Sequence, residues 1–386
     1  MAGDAKRGNM KVVILTTSTG QGHNHAARAL AEEFTARGVE TRVCDVLDMG
    51  GRNASAASSR SYSRAVTYVP HIFYAFYRLG GLVDSPTRHS PVYYANAIHA
   101  KDVLRELLAF SPDAIVTTHM YGAQVLTRLA EREGYAPPTV GVMTDYLPSP
   151  LWAETRLTRY VVPAPSLTEA YARYGLPEER LEPLGIPVSA RFRRKGDPGA
   201  ARAAFGLRVG PVFAVLGGSM GFGRFELICR ALHASVPQAQ IVAVCGSNRR
   251  AMRAAARVPG VVTRGTIDNV DELMDAADVL LTKPGGLTTA EALNKGVPLV
   301  LTQPIPGGEK ENEQFLASQG LAVAAGNARE AAKAAQALLR GEGSAGMLEA
   351  QRAFTADNAA AAICDLVERL AQGAGAPDCA QAAGKA

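Results

Sequence analysis

The sequence predicts an α/β protein made of two halves, each organised around a parallel β-sheet. Short β-branched runs alternate with helical stretches along the chain, which is the pattern of repeated strand–helix–strand units. This pattern opens near Val12 and starts again at Pro211. A chain of 386 residues is also long enough to form two domains with separate hydrophobic cores.

The first half begins with a strand at Val12–Thr17, a glycine loop at Thr19–Gly22 and a helix near Asn24–Arg37. Gly38 ends this helix, because glycine adopts the left-handed conformation that closes many helices. The further strands of this half are expected at Val39–Val46, Ala114–Thr118, Thr139–Thr144 and Arg159–Val162.

The second half repeats the pattern from Val212 onwards. Its expected elements are a strand at Val212–Leu216, a glycine loop at Gly217–Gly223, a helix at Phe225–Ala234, and strands at Ile241–Cys245 and Val261–Arg264. From Asp278 the prediction is a strand to Thr282, a turn at Pro284–Gly286, a helix at Leu287–Asn294, a stop at Gly296, a strand at Pro298–Thr302 and then a polar loop.

Domain boundaries follow from composition. The segment Leu184–Ala200 carries two prolines, three glycines and a basic cluster, which is typical of a linker. We therefore expect domains at residues 1–190 and 191–371. Residues 372–386 are small, polar and low in complexity, and we expect this tail to be disordered.

Composition restricts the class of protein. Hydrophobic residues make up 47% and charged residues 20% of the chain, as in soluble globular proteins. The net charge of +5 is too small to indicate nucleic-acid binding. Five cysteines without a CxxC pair argue against a zinc site and indicate a reducing cytoplasm. The N-terminus has no apolar signal core, and no uncharged run reaches the roughly 20 residues that cross a bilayer.

The segment Asp278–Gln314 is the first candidate site. Glycines at a helix start let a phosphate approach the backbone N–H groups, and the positive end of the helix dipole favours its charge. Glu291 lies about one turn inside this helix and can accept hydrogen bonds from sugar hydroxyls. Glu309, Glu311 and Asn312 follow in the polar loop, at the sheet edge where α/β proteins bind ligands. The segment predicts a nucleotide-sugar pocket; alternatively, its glycines serve only tight packing.

The loop Ser18–His23 is the second candidate site. His23 lies where the helix begins, and an imidazole has a pKa suited to proton abstraction near neutral pH. The helix N-terminus is expected to lower this pKa, and Gly22 is expected to bind the donor through its N–H group. A role as a cap or packing residue is the alternative for His23. Asp145 ends another strand and is expected to orient His23 or bind acceptor hydroxyls, unless it forms an Asx-turn before Pro148.

An aromatic segment lies between Arg64 and Arg78. The 13 residues Ala65–Tyr77 carry no charge and are too few to span a bilayer. Its aromatic side chains are Tyr68, Phe73, Tyr74, Phe76 and Tyr77, of which Phe73, Phe76 and Tyr77 share a face of a helix that Pro70 can begin. Aromatic rings flanked by arginines suit a helix lying on an anionic membrane surface. Packing on its own domain is the alternative.

From Lys11 to about Leu370 the chain resembles the diacylglycerol glycosyltransferases, that is, monogalactosyldiacylglycerol synthases and processive diacylglycerol glucosyltransferases. The matching blocks are TSTGQGHNHAA, VMTDYLPSPLW, PLGIPVSARF, GGSMGFGR, KPGGLTTAEALNKGVPLVL and PIPGGEKENEQFL, besides the aromatic segment. The resemblance implies a GT-B fold, with two Rossmann-like domains facing a cleft and a last helix that crosses back to the first domain.

It further implies an inverting transfer of glucose or galactose from a UDP-sugar to diacylglycerol, or to glycosyl-diacylglycerol, with no metal and no bound cofactor. The enzyme would be peripheral, at the cytoplasmic face of the membrane, with diacylglycerol and anionic phospholipids as partners.

The resemblance also assigns roles to individual residues. His23 corresponds to the general base and Asp145 to the acidic residue on the acceptor side. The implied contacts with the donor phosphates are Ser219 in Gly217–Gly223, and Gly285, Gly286, Leu287 and Thr288. The implied contacts with uracil are Gly265, Thr266 and Ile267. Glu291 is implied for ribose, and Glu309, Glu311 and Asn312 for the sugar. Many relatives carry Gly-Gln-Glu where this chain has Gly307-Gly308-Glu309, so the donor sugar stays open.

Other functions remain compatible with these residues. A UDP-sugar transferase acting on another lipid or on a polyprenyl-linked acceptor would share the donor site. A non-hydrolysing UDP-sugar epimerase would share the fold but has no need of the aromatic segment. A UDP-sugar-binding regulator with little turnover would not need His23 and Asp145. A Rossmann dehydrogenase is disfavoured, since His25 stands where the third glycine of the first loop would be.

Overall fold

A computed structural model describes residues 10–18, 21–49, 90, 93–94, 100–305 and 308–373. The chain forms two compact units. One contains the chain up to Ser189 together with that from Asn358, and the other is Ala190–Asp357. The division therefore falls one residue before the expected boundary, and the chain after Asp357 is counted with the first unit. The aromatic segment Ala65–Tyr77, with its flanking Arg64 and Arg78, lies outside the described residues.

The first unit contains a six-stranded parallel sheet in the order β2-β1-β3-β4-β5-β6. Its strands are β1 (Lys11–Thr16), β2 (Glu40–Asp45), β3 (Ala114–Thr117), β4 (Thr139–Val142), β5 (Arg159–Val161) and β6 (Leu181–Glu182). The strand order reverses between β1 and β3, and ligands of α/β proteins bind where the carboxyl ends of two such strands diverge.

Helices of the first unit cover this sheet. They are α1 (Gln21–Ala36), α2 (Val46–Met49), α3 (Ala100–Phe110), α4 (Met120–Glu133), α5 (Pro150–Ala153), α6 (Thr168–Arg173) and, from the end of the chain, α16 (Ala359–Gly373). Helix α1 begins three residues earlier than expected and ends as expected at Gly38, whose φ of +77° is in the left-handed region. β3 and β4 are buried along their whole length, as strands of a parallel sheet covered on both faces are.

Helix α16 completes the core of the first unit. Ile363, Cys364 and Val367 are fully buried in one cluster with Leu30 and Phe34 of α1. At the edge of this contact the Arg37 guanidinium donates to Asp365 at 2.6 Å, to Glu368 at 3.1 Å and to Glu33 of α1 at 3.0 Å. These partners raise the pKa of Arg37 against the opposing effect of burial, so its charge is always present.

The second unit contains another six-stranded parallel sheet, in the order β12-β11-β10-β7-β8-β9. Its strands are β7 (Val212–Leu216), β8 (Gln240–Val244), β9 (Val261–Arg264), β10 (Val279–Thr282), β11 (Leu299–Thr302) and β12 (Val323–Ala325). Here the strand order reverses between β7 and β10. The second unit therefore has its own ligand-binding position, between the loops that follow these two strands.

Nine helices are described in the second unit. They are α7 (Ala190–Arg193), α8 (Pro198–Ala204), α9 (Phe225–Ser235), α10 (Arg249–Ala255), α11 (Val270–Ala276), α12 (Gly286–Lys295), α13 (Gly308–Ser318), α14 (Ala328–Leu339), and α15 (Ser344–Phe354), of which α7 is a single turn. The predicted strands and the helices α9 and α12 agree with the structure to within one or two residues.

One expectation for this unit is wrong. Glu309, Glu311 and Asn312 do not lie in a loop but in the first turn and a half of α13. Carboxylates in a first turn interact favourably with the positive end of the helix dipole. Glu309 and Glu311, which resemble the polar residues of a loop in the sequence, therefore stabilise the start of a helix.

Candidate functional site

His23 is held at the point where the first sheet reverses its strand order. It lies on α1, directly after β1, and its Nδ1 atom is 2.9 Å from the carbonyl oxygen of Thr118, which follows β3. The hydroxyl of Thr144, which follows β4, is 3.1 Å from the same nitrogen. Because a carbonyl only accepts hydrogen bonds, Nδ1 carries the proton and Nε2 carries the lone pair. This tautomer leaves Nε2 able to accept a proton.

The pKa of His23 is lowered from its ordinary value of 6.5. Burial is the largest cause, since it disfavours the charged imidazolium, while the nearby Asp145 carboxylate and the Thr118 carbonyl oppose it. The direction agrees with the prediction from the sequence, but burial replaces the helix N-terminus as the main cause. His23 is therefore neutral, and able to take a proton, at neutral pH.

His119 is a second histidine in this place, and the sequence analysis missed it. It is buried, and its ring meets that of His23 edge to face with centroids 4.5 Å apart. Its Nδ1 accepts a hydrogen bond from Tyr121 N at 3.1 Å, which caps α4, so its proton is on Nε2. Burial, and then the neighbouring His23, lower its pKa well below the ordinary value. A histidine directly after a buried strand was the available signal.

Asp145 follows β4 at the same edge and is exposed. The Tyr171 hydroxyl donates to the carbonyl oxygens of Asp145 and Leu147, both at 2.9 Å, which fixes the main chain at this position. Asp145 raises the pKa of His23, so the two predicted residues are in electrostatic contact. Gly22 precedes His23 in the first turn of α1 and is half-buried.

In the second unit the glycine loop Gly217–Gly223 interlocks with the loop after β8. A Cβ on Gly221, whose φ is +60°, would lie 1.8 Å from the carbonyl oxygen of Cys245, so only glycine fits. Ser247 N donates to Ser219 O at 2.9 Å, and the Asn248 side chain donates to Gly221 O at the same distance. These bonds fix the main chain around the predicted diphosphate contact Ser219.

Helix α12 begins with the other glycine turn. Gly285 is its N-cap and no side chain caps it, which suits a helix start that receives an anion. Gly286, Leu287 and Thr288 form the first turn, so the helix begins one residue before the expected Leu287. Glu291 lies one turn further and is 5% exposed.

Lys283 lies across both glycine turns, and no role for it was predicted from the sequence. A Cβ on Gly285 would lie 3.1 Å from its Nζ, and a Cβ on Gly218 would lie 3.1 Å from its Cε. Its ammonium group is paired with Glu309. A small concavity between the ends of β7 and β10 is lined by Lys283, Phe222, Phe225 and Gln303 among others.

Hydrogen bonds hold the start of α13 against the glycine turn that precedes α12. Glu309 Oε2 accepts from Ile305 N at 2.9 Å, and Asn312, which is fully buried, donates from Nδ2 to Pro284 O at 3.0 Å. The Glu311 Oε2 atom is buried and has no hydrogen-bond partner. A buried oxygen of this kind is costly unless something binds it.

Gly265, Thr266 and Ile267 follow β9, three strands away from β10 in the sheet. Gly265 and Ile267 are half-buried and Thr266 is exposed. At about 4.8 Å between neighbouring strands this separation is roughly 14 Å. The structure thus brings Ser219, Gly285–Thr288, Glu291, Glu309, Glu311 and Asn312 together around β7 and β10, and places Gly265–Ile267 at one end of the same edge.

In the part of the chain that the structure describes, no group of three or more histidine, cysteine, aspartate or glutamate side chains has the geometry of a metal site. Within the same residues, no helix combines the length and the apolar character needed to cross a membrane.

Two family models match consecutive parts of the chain. Residues 23–188 match the monogalactosyldiacylglycerol (MGDG) synthase model, and residues 212–366 match the glycosyltransferase family 28 C-terminal domain. Proteins named processive diacylglycerol beta-glucosyltransferase are similar over most of their length. One from Bacillus cereus is 28% identical over 341 residues, 86% of each chain. One from Bacillus thuringiensis is 27% identical over 340 residues, with the same coverage.

Solved structures confirm the predicted GT-B fold. MurG of Acinetobacter baumannii superimposes with a TM-score of 0.60 at 14% identity, covering 93% of this chain and 99% of its own. A calicheamicin glycosyltransferase gives 0.64 at 16% identity, covering 95% and 99%. The UDP-GlcNAc 2-epimerase of Neisseria meningitidis, solved with UDP-GlcNAc, gives 0.60 at 12% identity, covering 93% and 100%. At these identities the likeness concerns the fold alone.

Proposed function

We propose that this chain, a glycosyltransferase with an MGDG synthase domain and a family 28 C-terminal domain, transfers glucose or galactose from a UDP-sugar to diacylglycerol with inversion. The observation that carries the proposal is the His23 geometry, in which Nδ1 is bound to Thr118 O and Nε2 is left as the base. The names of the similar proteins supply the acceptor, diacylglycerol, and the hexose class.

The donor would lie along the carboxyl edge of the second sheet. Uracil is assigned to Gly265–Ile267, ribose to Glu291, and the diphosphate to Ser219 and the turn Gly285–Thr288. An extended nucleotide diphosphate is comparable in length to the roughly 14 Å between the ends of β9 and β10. Glu309 and Glu311 are assigned to the donor sugar, and the buried unpaired oxygen of Glu311 supports a hydroxyl there.

Asn312 has a more structural part in this assignment. Its side-chain amide donates to Pro284 O, so it joins the sugar-binding start of α13 to the phosphate turn.

The acceptor side would be the histidine cluster of the first unit. Nε2 of His23 takes the proton of the acceptor hydroxyl while that oxygen attacks the anomeric carbon. The bond from this carbon to the UDP oxygen breaks as the new glycosidic bond forms, so UDP leaves with the electron pair. Asp145 stabilises the imidazolium that results, because its carboxylate raises the pKa of His23.

Main-chain N–H groups would stabilise the leaving diphosphate without a metal ion. The uncapped first turn of α12 and the loop Gly217–Gly223 supply them, and the helix dipole adds to their effect. The aromatic segment with Arg64 and Arg78 would bind anionic phospholipid at the cytoplasmic face of the membrane, where diacylglycerol is found.

The test is to supply the purified protein with labelled UDP-glucose or UDP-galactose and vesicles containing diacylglycerol. A labelled glycolipid with the β configuration, identified by chromatography and NMR, is the expected product. A second set of vesicles carries a polyprenyl-linked acceptor instead. Product with the polyprenyl acceptor alone would replace diacylglycerol in the proposal, and UDP-sugar binding without any product would favour the regulator.

A further inference from the structure

We infer that Lys283 binds the donor diphosphate and that Glu309, its present partner, is thereby released to bind the donor sugar. The inference rests on the proposed UDP-sugar site and adds a dependence between two parts of it. The ammonium group exchanges one anionic partner for another, and the carboxylate that it leaves becomes an acceptor for a sugar hydroxyl.

The position of Lys283 is the first support. Its side chain crosses both Gly218 and Gly285, close enough that a Cβ at either position would press on it at 3.1 Å. A diphosphate bound by the N–H groups of both turns would therefore meet this ammonium group. Lysine is a common phosphate ligand for this reason, since it brings a compact charge on a flexible stem.

The charges of the pair are the second support. The side chains of Lys283 and Glu309 are only 20% and 16% exposed, and each has the other as an ionic partner. A diphosphate carries at least two negative charges and would repel the Glu309 carboxylate at this short range. Binding of UDP with the pair intact would leave Glu309 beside like charges, which favours separation of the pair.

The hydrogen bonds of Glu309 are the third support. Its Oε2 accepts from Ile305 N at 2.9 Å, whereas Oε1 is the atom paired with Lys283. When Lys283 turns to the diphosphate, Oε2 keeps the carboxylate in place and Oε1 loses its partner. Oε1 then accepts a hydroxyl of the sugar that is attached to the same diphosphate. Binding of the diphosphate thus makes Glu309 available to the sugar that is attached to it.

Calorimetric titration with UDP, UDP-glucose and UDP-galactose tests the exchange. Lys283→Met is expected to lower UDP affinity about tenfold or more, and to leave the affinity for uridine, measured by competition, unchanged. Glu309→Gln is expected to raise UDP affinity about threefold, because a repelling carboxylate is removed, and to weaken the UDP-sugars relative to UDP.

Two further variants serve as controls. Lys310→Met removes a neighbouring lysine whose partner is Glu313, so UDP affinity should change by less than about twofold if charge at position 283 is what matters. Lys283→Arg keeps the charge and should retain most UDP affinity, which a folding defect at this position would not allow.

The outcomes separate the two proposals. Equal UDP binding by Lys283→Met and the unmodified protein overturns the inference, as does a Glu309→Gln variant that loses UDP affinity as Lys283→Met does. If the variants change UDP affinity as expected but the unmodified protein makes no glycolipid, the proposed function is overturned. The exchange of partners by Lys283 is then still supported.

Discussion

At the scale of single residues, the orientation of His23 decides what this site can do. Its Nδ1 is committed to Thr118 O, and burial keeps the ring neutral. A ring held in this way donates nothing from Nε2 and can only accept a proton there. The neighbouring His119 is held in the opposite tautomer by Tyr121 N, so the two histidines are not interchangeable.

His23→Ala is expected to reduce the transfer rate by a factor of about 10² to 10⁴, the usual contribution of a general base. UDP affinity should stay within about twofold of the unmodified protein, because no donor contact is assigned to this imidazole. Rates with diacylglycerol vesicles and calorimetry with UDP provide the two measurements.

Glu291→Ala is the matched variant on the donor side. Loss of the buried carboxylate assigned to ribose should weaken UDP by about 1–3 kcal/mol, the cost of leaving a buried hydrogen-bonding group unmatched. Equal effects of both variants on binding and on rate would contradict the separation of roles.

The pH dependence of transfer should follow His23. Only the neutral ring takes a proton, so the rate falls as pH drops through the pKa, which burial places below 6.5. Asp145 raises this pKa; Asp145→Asn should therefore move the acid limb of the rate profile to lower pH, whatever it does to the maximum rate. An unmoved limb, or one moved to higher pH, would show that Asp145 does not act on His23.

At the scale of elements, the sequence predicts what depends on local pattern. Runs of β-branched and other apolar residues near glycines located β7 and β9 to the residue, and Gly38 and Gly296 marked the ends of α1 and α12. The start of α13 was mistaken for a loop, because a first turn of Glu and Lys looks the same as an exposed loop in the sequence. Its helical state depends on contacts such as Asn312 to Pro284 O.

Contacts between residues far apart in the chain could not be predicted from the sequence. His119 lies 96 residues after His23 in the chain, and only the pairing of β1 with β3 brings them together. Lys283 stands inside the recognised motif, but its place across two glycine turns depends on β10 pairing with β7. Neither contact can be predicted from the spacing of these residues in the sequence.

Helix α16 should be essential for the first unit although it is last in the chain. Ile363 is fully buried between α1 and the sheet, so Ile363→Ala is expected to lower the free energy of unfolding by about 2–5 kcal/mol. Arg369 is exposed on the same helix, and Arg369→Ala should change stability by less than about 0.5 kcal/mol. Denaturant unfolding measures both; similar values would mean that α16 does not contribute to this core.

At the scale of the whole molecule, the proposed catalytic residues are divided between two units with separate cores. The proposed base and acceptor contacts belong to the first unit, and every proposed donor contact except Gly22 belongs to the second. Each unit has its own parallel sheet and its own reversal of strand order. This division predicts that a substitution can change donor binding without affecting the packing of α16, and that another can affect the packing of α16 without changing donor binding.

Differential scanning calorimetry should therefore resolve two transitions that respond to different changes. UDP at about 100 times its Kd adds about 2.7 kcal/mol to the state that binds it, which corresponds to a rise of about 5–10 °C in the Tm of the second unit. Ile363→Ala should lower the Tm of the other transition and leave the response to UDP intact, while Glu291→Ala should reduce that response. If UDP raised both transitions together, or Ile363→Ala abolished its effect, the two units would unfold as one, and the assignment of donor binding to the second unit alone would have to be abandoned.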